Sequence, residues 1–433
     1  MATALVETRD QAWSPVIERL EAAALDCIQT GLAALADRYH GAGAHLVLGA
    51  RLGFLATPVP GRPPRVEPST DQRLAEADEL AGLRVAECRD GLDGPALRRF
   101  AAGPLYVVAD AFDMPWTPYR GQRHMDHSVL LVPAGDEFAV VDPYHNDTQW
   151  GPARPGVWRL AAAGLDAAVE GGASAMVVVA GRRPVLDAAK VLGGNAAVLA
   201  AAGPDVARYL AAAREALDRV DEMERLVLDV WVLGRSRLLH AAWLATVPGL
   251  PAPLLAAARS RAEDWLRLAA QSYVGVRRLQ RGSALPPSVI QRLAELLDGD
   301  AELAEQLAAV QLPPAAGSAK AEAPRAVPAG SSAGGPGSVP AEAPAGAPVP
   351  AEVREVVVDA VRLVLRLEEE AARRPRPFRA IPDFNSFRLV DVIERVELQL
   401  GVHLDADDLT QDALQDVDSL SGLFARAVER ARR

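Results

Sequence analysis

The chain has little cysteine, no excess of basic residues and no long apolar run. Two cysteines in 433 residues, Cys27 and Cys88, are too few for a disulfide framework or a zinc site, which leaves a catalytic thiol or small buried hydrophobes as their roles. The 46 lysines and arginines are outnumbered by 57 aspartates and glutamates, for a net charge of −11, so no basic surplus exists to neutralise the phosphates of a duplex. Neither a nucleic-acid partner nor a metal site is expected. No stretch approaches the roughly eighteen consecutive apolar residues of a membrane span. The opening MATALVETRDQAW meets Thr8, Arg9 and Asp10 before a signal-like segment can form. A cytoplasmic protein without a membrane partner is the expectation.

What is present is the composition of a globular protein, half hydrophobic and a quarter charged, long enough for several domains. Residues 313–352 are nearly all Ala, Pro, Gly and Ser, without the large apolar side chains that offset ordering entropy. They are predicted to be a linker, with a mean span of roughly 35 Å as flexible coil. Residues 1–183 mix an early helix with β-rich runs at 105–110, 127–132, 137–142 and 174–181, an α+β pattern. Residues 184–312 carry helical spacing instead, as in Leu226, Val230, Val232 and Leu233, then Leu254, Leu255, Ala258, Trp265 and Leu268. Pro251 and Pro286–Pro287 act there as breaks or first-turn residues. Residues 353–433 give four helical patterns, at 353–372, 386–399, near 410–415 and at 418–432, which predict a small bundle.

Cys27 precedes an amphipathic segment in which Ile28, Leu32, Leu35 and Tyr39 recur at helical spacing until Gly41 and Gly43. If Asp26 caps that helix, Cys27 lies at its first turn, where free N–H groups and the helix dipole favour a thiolate. If VIERLEAAAL continues the same helix, Cys27 is mid-helix and that activation is lost. A thiol nucleophile needs a base, and the base an orienting acid. HMDHSVLLVPAGDEFAVVDP supplies both as strand, turn and strand. With a two-residue loop at Ala134–Gly135, His127 falls directly opposite Asp142. A three-residue loop turns Asp142 to the other face, and a four-residue loop returns it as a diagonal neighbour. His124 is a rival base, but in the tight-loop register it faces His145 and no acid. Cys88, in AECRDG, is the weaker nucleophile.

The run VVADAFDMPW…HMDHSVLLVPAGDEFAVVDP, with the Cys27 helix and LVLGARLGF, resembles the N-terminal domain of the butirosin-biosynthesis H protein family, related to bacteriocin-processing cysteine peptidases. The resemblance spans most of residues 20–160. It implies a papain-like fold and an acyltransferase that takes an acyl group from a carrier-protein thioester, holds it on cysteine and passes it to an amine. Cys27 is then nucleophile, His127 base and Asp142 its orienting acid, with the helical second half completing the enzyme. The related peptidases place an oxyanion glutamine about six residues before the cysteine, where this chain has Glu21. Backbone N–H groups of Cys27 and Ile28, with Gln29, are the alternative donors. Trp116 and Tyr119, with Pro118, are candidate walls of the acceptor pocket.

FNSFRLVDVIERVELQLGVHLDADDL resembles an acyl or peptidyl carrier protein, in which a serine opening helix two carries 4'-phosphopantetheine. Ser386 is that serine, with Asn385 and Phe387 where Asp and Leu are usual. Leu389, Val390, Ile393 and Val396 form the inward face, and Asp391, Glu394 and Glu397 are expected outside. A phosphopantetheinyl transferase, an acyl-loading enzyme or separate carrier, and a small-molecule amine follow as partners. A carrier tethered by the linker is held near its enzyme at a local concentration on the order of millimolar. The expected function is thus cysteine-dependent acyl transfer with amide formation. A thioesterase, a ring- or carbon–carbon-forming thiol enzyme, and a non-catalytic docking scaffold are the alternatives.

Overall fold

The computed structural model describes residues 6–282, 288–312, 349–381, 384, 386–404, 408–409 and 413–432. Residues 313–348 of the predicted linker, Pro286–Pro287, Asn385 and the Ser386 side chain lie outside the described residues. The chain divides into two compact units, residues 1–313 with 383–390, and residues 314–382 with 391–433. It is a mixed α+β structure with a helical C-terminal region.

In the first unit the elements run β1 (Val6–Glu7), α1 (Ser14–Ile17), α2 (Gln29–His40), β2 (Thr57–Val59), β3 (Arg62–Arg65), α3 (Thr70–Ala81) and β4 (Leu83–Leu92). Next come α4 (Gly94–Phe100), β5 (Leu105–Asp110), β6 (Asp126–Ala134), β7 (Glu137–Asp142), β8 (Asn146–Thr148), β9 (Gly151–Ala153), β10 (Gly156–Leu160), α5 (Ala162–Ala168) and β11 (Ala173–Ala180). Seven strands form one antiparallel sheet in the order β1-β10-β7-β6-β5-β11-β4. The four β-rich runs predicted from sequence are β5, β6, β7 and β11, side by side at its centre. Their nearly unbroken apolar character has a simple cause: both faces are covered. Tyr106, Val108, Leu130, Val141 and Met176 pack with Leu32 and Leu35 of α2 and Leu80 of α3. Their neighbours Val107, Val129, Leu131, Val140 and Ala175 pack with Leu97 of α4 and Leu165 of α5, as the alternation of a strand requires. Tyr39 departs from its predicted inward place and is 46 % exposed, in the last turn of α2 before Gly41 ends the helix with φ +94°.

Five helices complete this unit: α6 (Ala188–Ala201), α7 (Gly203–Glu215), α8 (Val220–Leu244), α9 (Ala252–Gln280) and α10 (Ser288–Ala308). Pro251 is the N-cap of α9. Leu226, Val230, Leu233, Trp265 and Leu268 share one core with Leu293 and Leu296 of α10. Trp243 and Leu244 of α8 join the core under the sheet, so the α+β and helical parts form one compact body.

In the C-terminal region α11 (Ala351–Leu365), α12 (Glu369–Arg373), α13 (Ser386–Leu400) and α14 (Val417–Ala431) are found. The helix predicted over 353–372 is two helices. Arg366 takes a left-handed conformation, φ +54°, and the Leu367 N–H closes back on the Arg362 carbonyl. The piece predicted near 410–415 is not helical over 413–415, where Gln415 instead accepts the Phe378 N–H through its carbonyl at 2.8 Å. Leu389, Val390, Ile393 and Val396 are buried on α13 as predicted, but Glu394 and Glu397 are buried too. Glu397 turns inward because its Oε1 accepts the Leu404 N–H at 2.9 Å, closing the exit turn that Gly401 makes at φ +65°.

Candidate active site

Cys27 sits in a break between two helices, not inside one. A short 3-10 turn ends at Ala24, Leu25 is extended, and α2 starts at Gln29. Asp26 is the cap. Its Oδ1 accepts the N–H groups of Ile28 at 3.0 Å and Gln29 at 2.8 Å, and its own N–H reaches Gln29 Oε1 at 3.4 Å. Its Oδ2 is gripped by Arg73 Nε and Nη2 at 2.9 and 2.6 Å. This arrangement reverses one expectation. The first-turn amides that were to favour a thiolate are spent on Asp26, and burial together with the charges of Asp26 and Glu67 pushes the Cys27 thiol well up. The same hydrogen bond removes the Ile28 N–H from the predicted oxyanion donors. The Cys27 N–H, which acts on its own sulfur, and the Gln29 side-chain amide remain. Glu21 stands exposed, its backbone N–H on His45 Nε2 at 3.1 Å.

The hairpin carrying the acid–base pair closes at Gly135–Asp136, with Ala134 paired to Glu137 and Leu130 to Val141. The register is therefore two residues away from the direct-opposition one, and Asp142 is a diagonal neighbour of His127. A Gly-Asp loop with Gly135 at φ +71° suits a two-residue hairpin better than Ala-Gly does, because the first central position needs positive φ. The pair forms nonetheless: His127 Nε2 lies 2.8 Å from Asp142 Oδ2, with the residues 0 % and 3 % exposed. Asp142 also accepts Trp116 Nε1 at 3.0 Å and the Tyr144 N–H at 2.9 Å, so its carboxylate is held by three donors. A carboxylate only accepts, which assigns the imidazole proton to Nε2 and leaves Nδ1 as the basic nitrogen. That Nδ1 is buried without a hydrogen-bond partner.

Cys27 touches the strand on both sides of His127. Its Sγ donates to the Asp126 carbonyl at 3.5 Å, and its carbonyl accepts Ser128 Oγ at 2.7 Å and the Ser128 N–H at 3.3 Å. The sulfur is hydrogen-bonded to Asp126 and not to the imidazole. Tyr106 Oη, donating to the Ile28 carbonyl at 2.7 Å, fixes the next residue.

Trp116, expected as a pocket wall, is an orienting donor to Asp142 and stacks on Trp158 at 5.9 Å. Tyr119 is buried, its hydroxyl 3.3 Å from that of Tyr144 and accepting Asn146 Nδ2 at 3.1 Å. His124 does have an acid, contrary to the register argument: its Nδ1 is 2.6 Å from Asp110 Oδ2, and its exposed ring stacks on Phe112 at 4.1 Å. Cys88 is exposed on β4, at the sheet edge, with no histidine among its hydrogen bonds. A cavity of about 750 Å³ is lined by Glu7, Glu18, Glu21, Ala22 and His145 among others, and not by Cys27, His127 or Asp142. Among the described residues no three His, Cys, Asp or Glu side chains cluster as metal ligands, and no helix is long and apolar enough to cross a membrane.

Arg235 of α8 is the buried residue that sequence reasoning missed. Its Nη1 donates to the carbonyls of Ala22 and Leu25, and its Nη2 to the His145 carbonyl at 2.6 Å and Asn146 Oδ1 at 3.2 Å. The signal was present: Val232, Arg235 and Leu239 share a core-facing helical spacing, so an arginine stands where the pattern calls for an apolar residue. No protein-family model matches the chain, and no curated protein does.

Proposed function

We propose that this chain is a cysteine-dependent acyltransferase, with a papain-like catalytic part and a C-terminal carrier-protein domain, that moves an acyl group from a carrier thioester through acyl-Cys27 to an amine. One observation supports it above the rest: Cys27 is bonded to the residues on either side of His127, while His127 is held by Asp142 with Nδ1 unpartnered. Those are the parts of a thiol nucleophile, a base and an orienting acid.

In this reading Sγ leaves the Asp126 carbonyl and gives its proton to His127 Nδ1. The sulfur then attacks the thioester carbonyl, and the proton passes to the departing thiol as acyl-Cys27 forms. An amine attacks that thioester, loses a proton to His127 and releases the amide, and the proton returns to the Cys27 sulfur. Asp142 stabilises the imidazolium in both halves. The Cys27 N–H and the Gln29 amide are the donors left for the oxyanion. Phosphopantetheine on Ser386 would supply a thiol on a long arm as the acyl carrier. Ser386 is the first residue of α13, three residues ahead of the inward-facing Leu389.

Intact-mass spectrometry tests this after co-expression with a phosphopantetheinyl transferase. The expected gain is one arm, lost in Ser386→Ala. After acyl loading, transfer to an added amine is expected in the parent and absent in Cys27→Ala. Acyl loss as free acid at equal rate with and without amine would make the enzyme a thioesterase. A Cys27→Ala chain as competent as the parent would make the first unit a docking scaffold.

A further inference from the structure

We infer that Arg235 is the positioning residue of this site: it ties the backbone that leads into Cys27 to the backbone that leaves Asp142. This rests on the nucleophile reading of Cys27. The Ala22 and Leu25 carbonyls lie five and two residues before Cys27, and His145 and Asn146 lie three and four residues after Asp142. One guanidinium thus spends both terminal nitrogens joining the two segments, and it comes from α8, in the helical part of the unit. A planar fork with fixed donor directions is suited to this, and a lysine is not. Arg235 is 5 % exposed, its Cζ 4.2 Å from the Trp231 ring centroid and 5.7 Å from that of Tyr144.

The acceptors carry a second consequence. All four are carbonyl or amide oxygens, and among the described residues Arg235 has no carboxylate partner. Arg237, two residues on, shows the contrast: its Nε lies 2.8 Å from Asp300, a buried pair that also holds Trp265 and neutralises itself. The Arg235 guanidinium, with Asp26 as the carboxylate acting on it from a distance, is hydrogen-bonded to the Leu25 carbonyl two residues before the sulfur that must become an anion. The ionisable groups acting on Cys27 are Asp26 and Glu67, which oppose its ionisation, and Arg235, which favours it. Tyr119 and Tyr144, pushed up by burial, stay neutral there, and His127 takes the proton. Arg235 is therefore both the clamp and the counter-charge of the nucleophile.

The test uses the full chain with Cys88→Ser and Ser386→Ala, so that Cys27 is the only thiol and no pantetheine arm adds another. Alkylation by iodoacetamide, read by intact mass from pH 6 to 10, reports thiolate formation without any acyl substrate, and thermal melts by circular dichroism report folding. Arg235→Gln is expected to raise the midpoint of the alkylation profile by about one pH unit, a tenfold slowing below it. Arg235→Lys, which restores charge without the fork, is expected to bring the midpoint most of the way back. Should neither fold, the isosteric Asn146→Asp decides, because it sets a carboxylate against the guanidinium and must raise the midpoint likewise. A folded variant of this set whose profile overlays the parent, Arg235→Lys excepted, overturns the inference. A His127→Ala profile identical to the parent would overturn the nucleophile reading itself, whereas a His127 effect without an Arg235 or Asn146 effect sinks only the present proposal.

Discussion

Two histidines three residues apart, one just ahead of β6 and one on it, each meet a carboxylate at nearly the same distance. His127 and Asp142 meet at 2.8 Å, His124 and Asp110 at 2.6 Å. They differ in surroundings. Asp142 is buried and takes two further donors, and its histidine keeps one buried nitrogen free between the two residues that touch Cys27. The His124 side chain is 73 % exposed, with no such link to the sulfur. A short contact identifies a pair; burial, saturation of the acid and connection to Cys27 are what set His127 apart as the proposed base.

The comparison breaks most sharply at the acids. Asp142→Ala removes the acceptor that the imidazole N–H and Trp116 Nε1 share, so acyl transfer is expected to fall about 10³–10⁴-fold. Asp110→Asn should leave the rate within about threefold, since an exposed pair has little to orient. Parallel single-turnover measurements on the two variants check this, and equal losses would void the assignment of His127. The cysteine side is tested by Asp26→Ala, which leaves the buried Arg73 with Glu76 as its one carboxylate and removes the cap. A loss of about 3–5 kcal/mol in urea unfolding is expected, against about 0–1 kcal/mol for Asp110→Ala.

A third histidine sharpens the contrast by having no acid at all. His240 is buried on α8 with Nδ1 on the Gly49 carbonyl at 2.7 Å, and burial pulls it down to about 4. Between that value and the unfolded value near 6.5 the unfolded chain binds the extra proton, so stability drops as pH falls through this window. About 3 kcal/mol is at stake, and His240→Asn should flatten the difference between unfolding midpoints at pH 7 and 4.5. The smallest effect belongs to the hairpin that delivers His127. Gly135→Ala, with open space around it but φ +71°, should cost about 1 kcal/mol in the same urea assay and leave the transfer rate unchanged.

Much of the site could be read along the chain, and the failures have causes. The strands were legible because both faces of the sheet are buried, which writes unbroken apolar runs into β5, β6, β7 and β11. The His127 and Asp142 partnership was legible as a shared face, while its register was misjudged by favouring Ala134–Gly135 over Gly135–Asp136. The helix start at Cys27 was legible through Asp26, yet not its effect on the thiol, since sequence does not say that Arg73 and two amides converge on that carboxylate. The inward Glu397 was missed because a backbone N–H seven residues away cannot be seen in helical periodicity.

What the sequence by itself determined is therefore local: which residues alternate into a sheet, where a cap ends one turn and begins another, which serine opens α13. Such features follow from side-chain periodicity and backbone conformational preference, both short-range. Tertiary structure alone decided the rest. Arg235 comes to the segment before Cys27 from more than two hundred residues away, and Trp116 to Asp142 from the loop between β5 and β6. The pKa of a thiol, the tautomer of an imidazole and the pairing of a buried charge depend on which dipoles and charges surround them in space, and those are assembled only when distant segments pack.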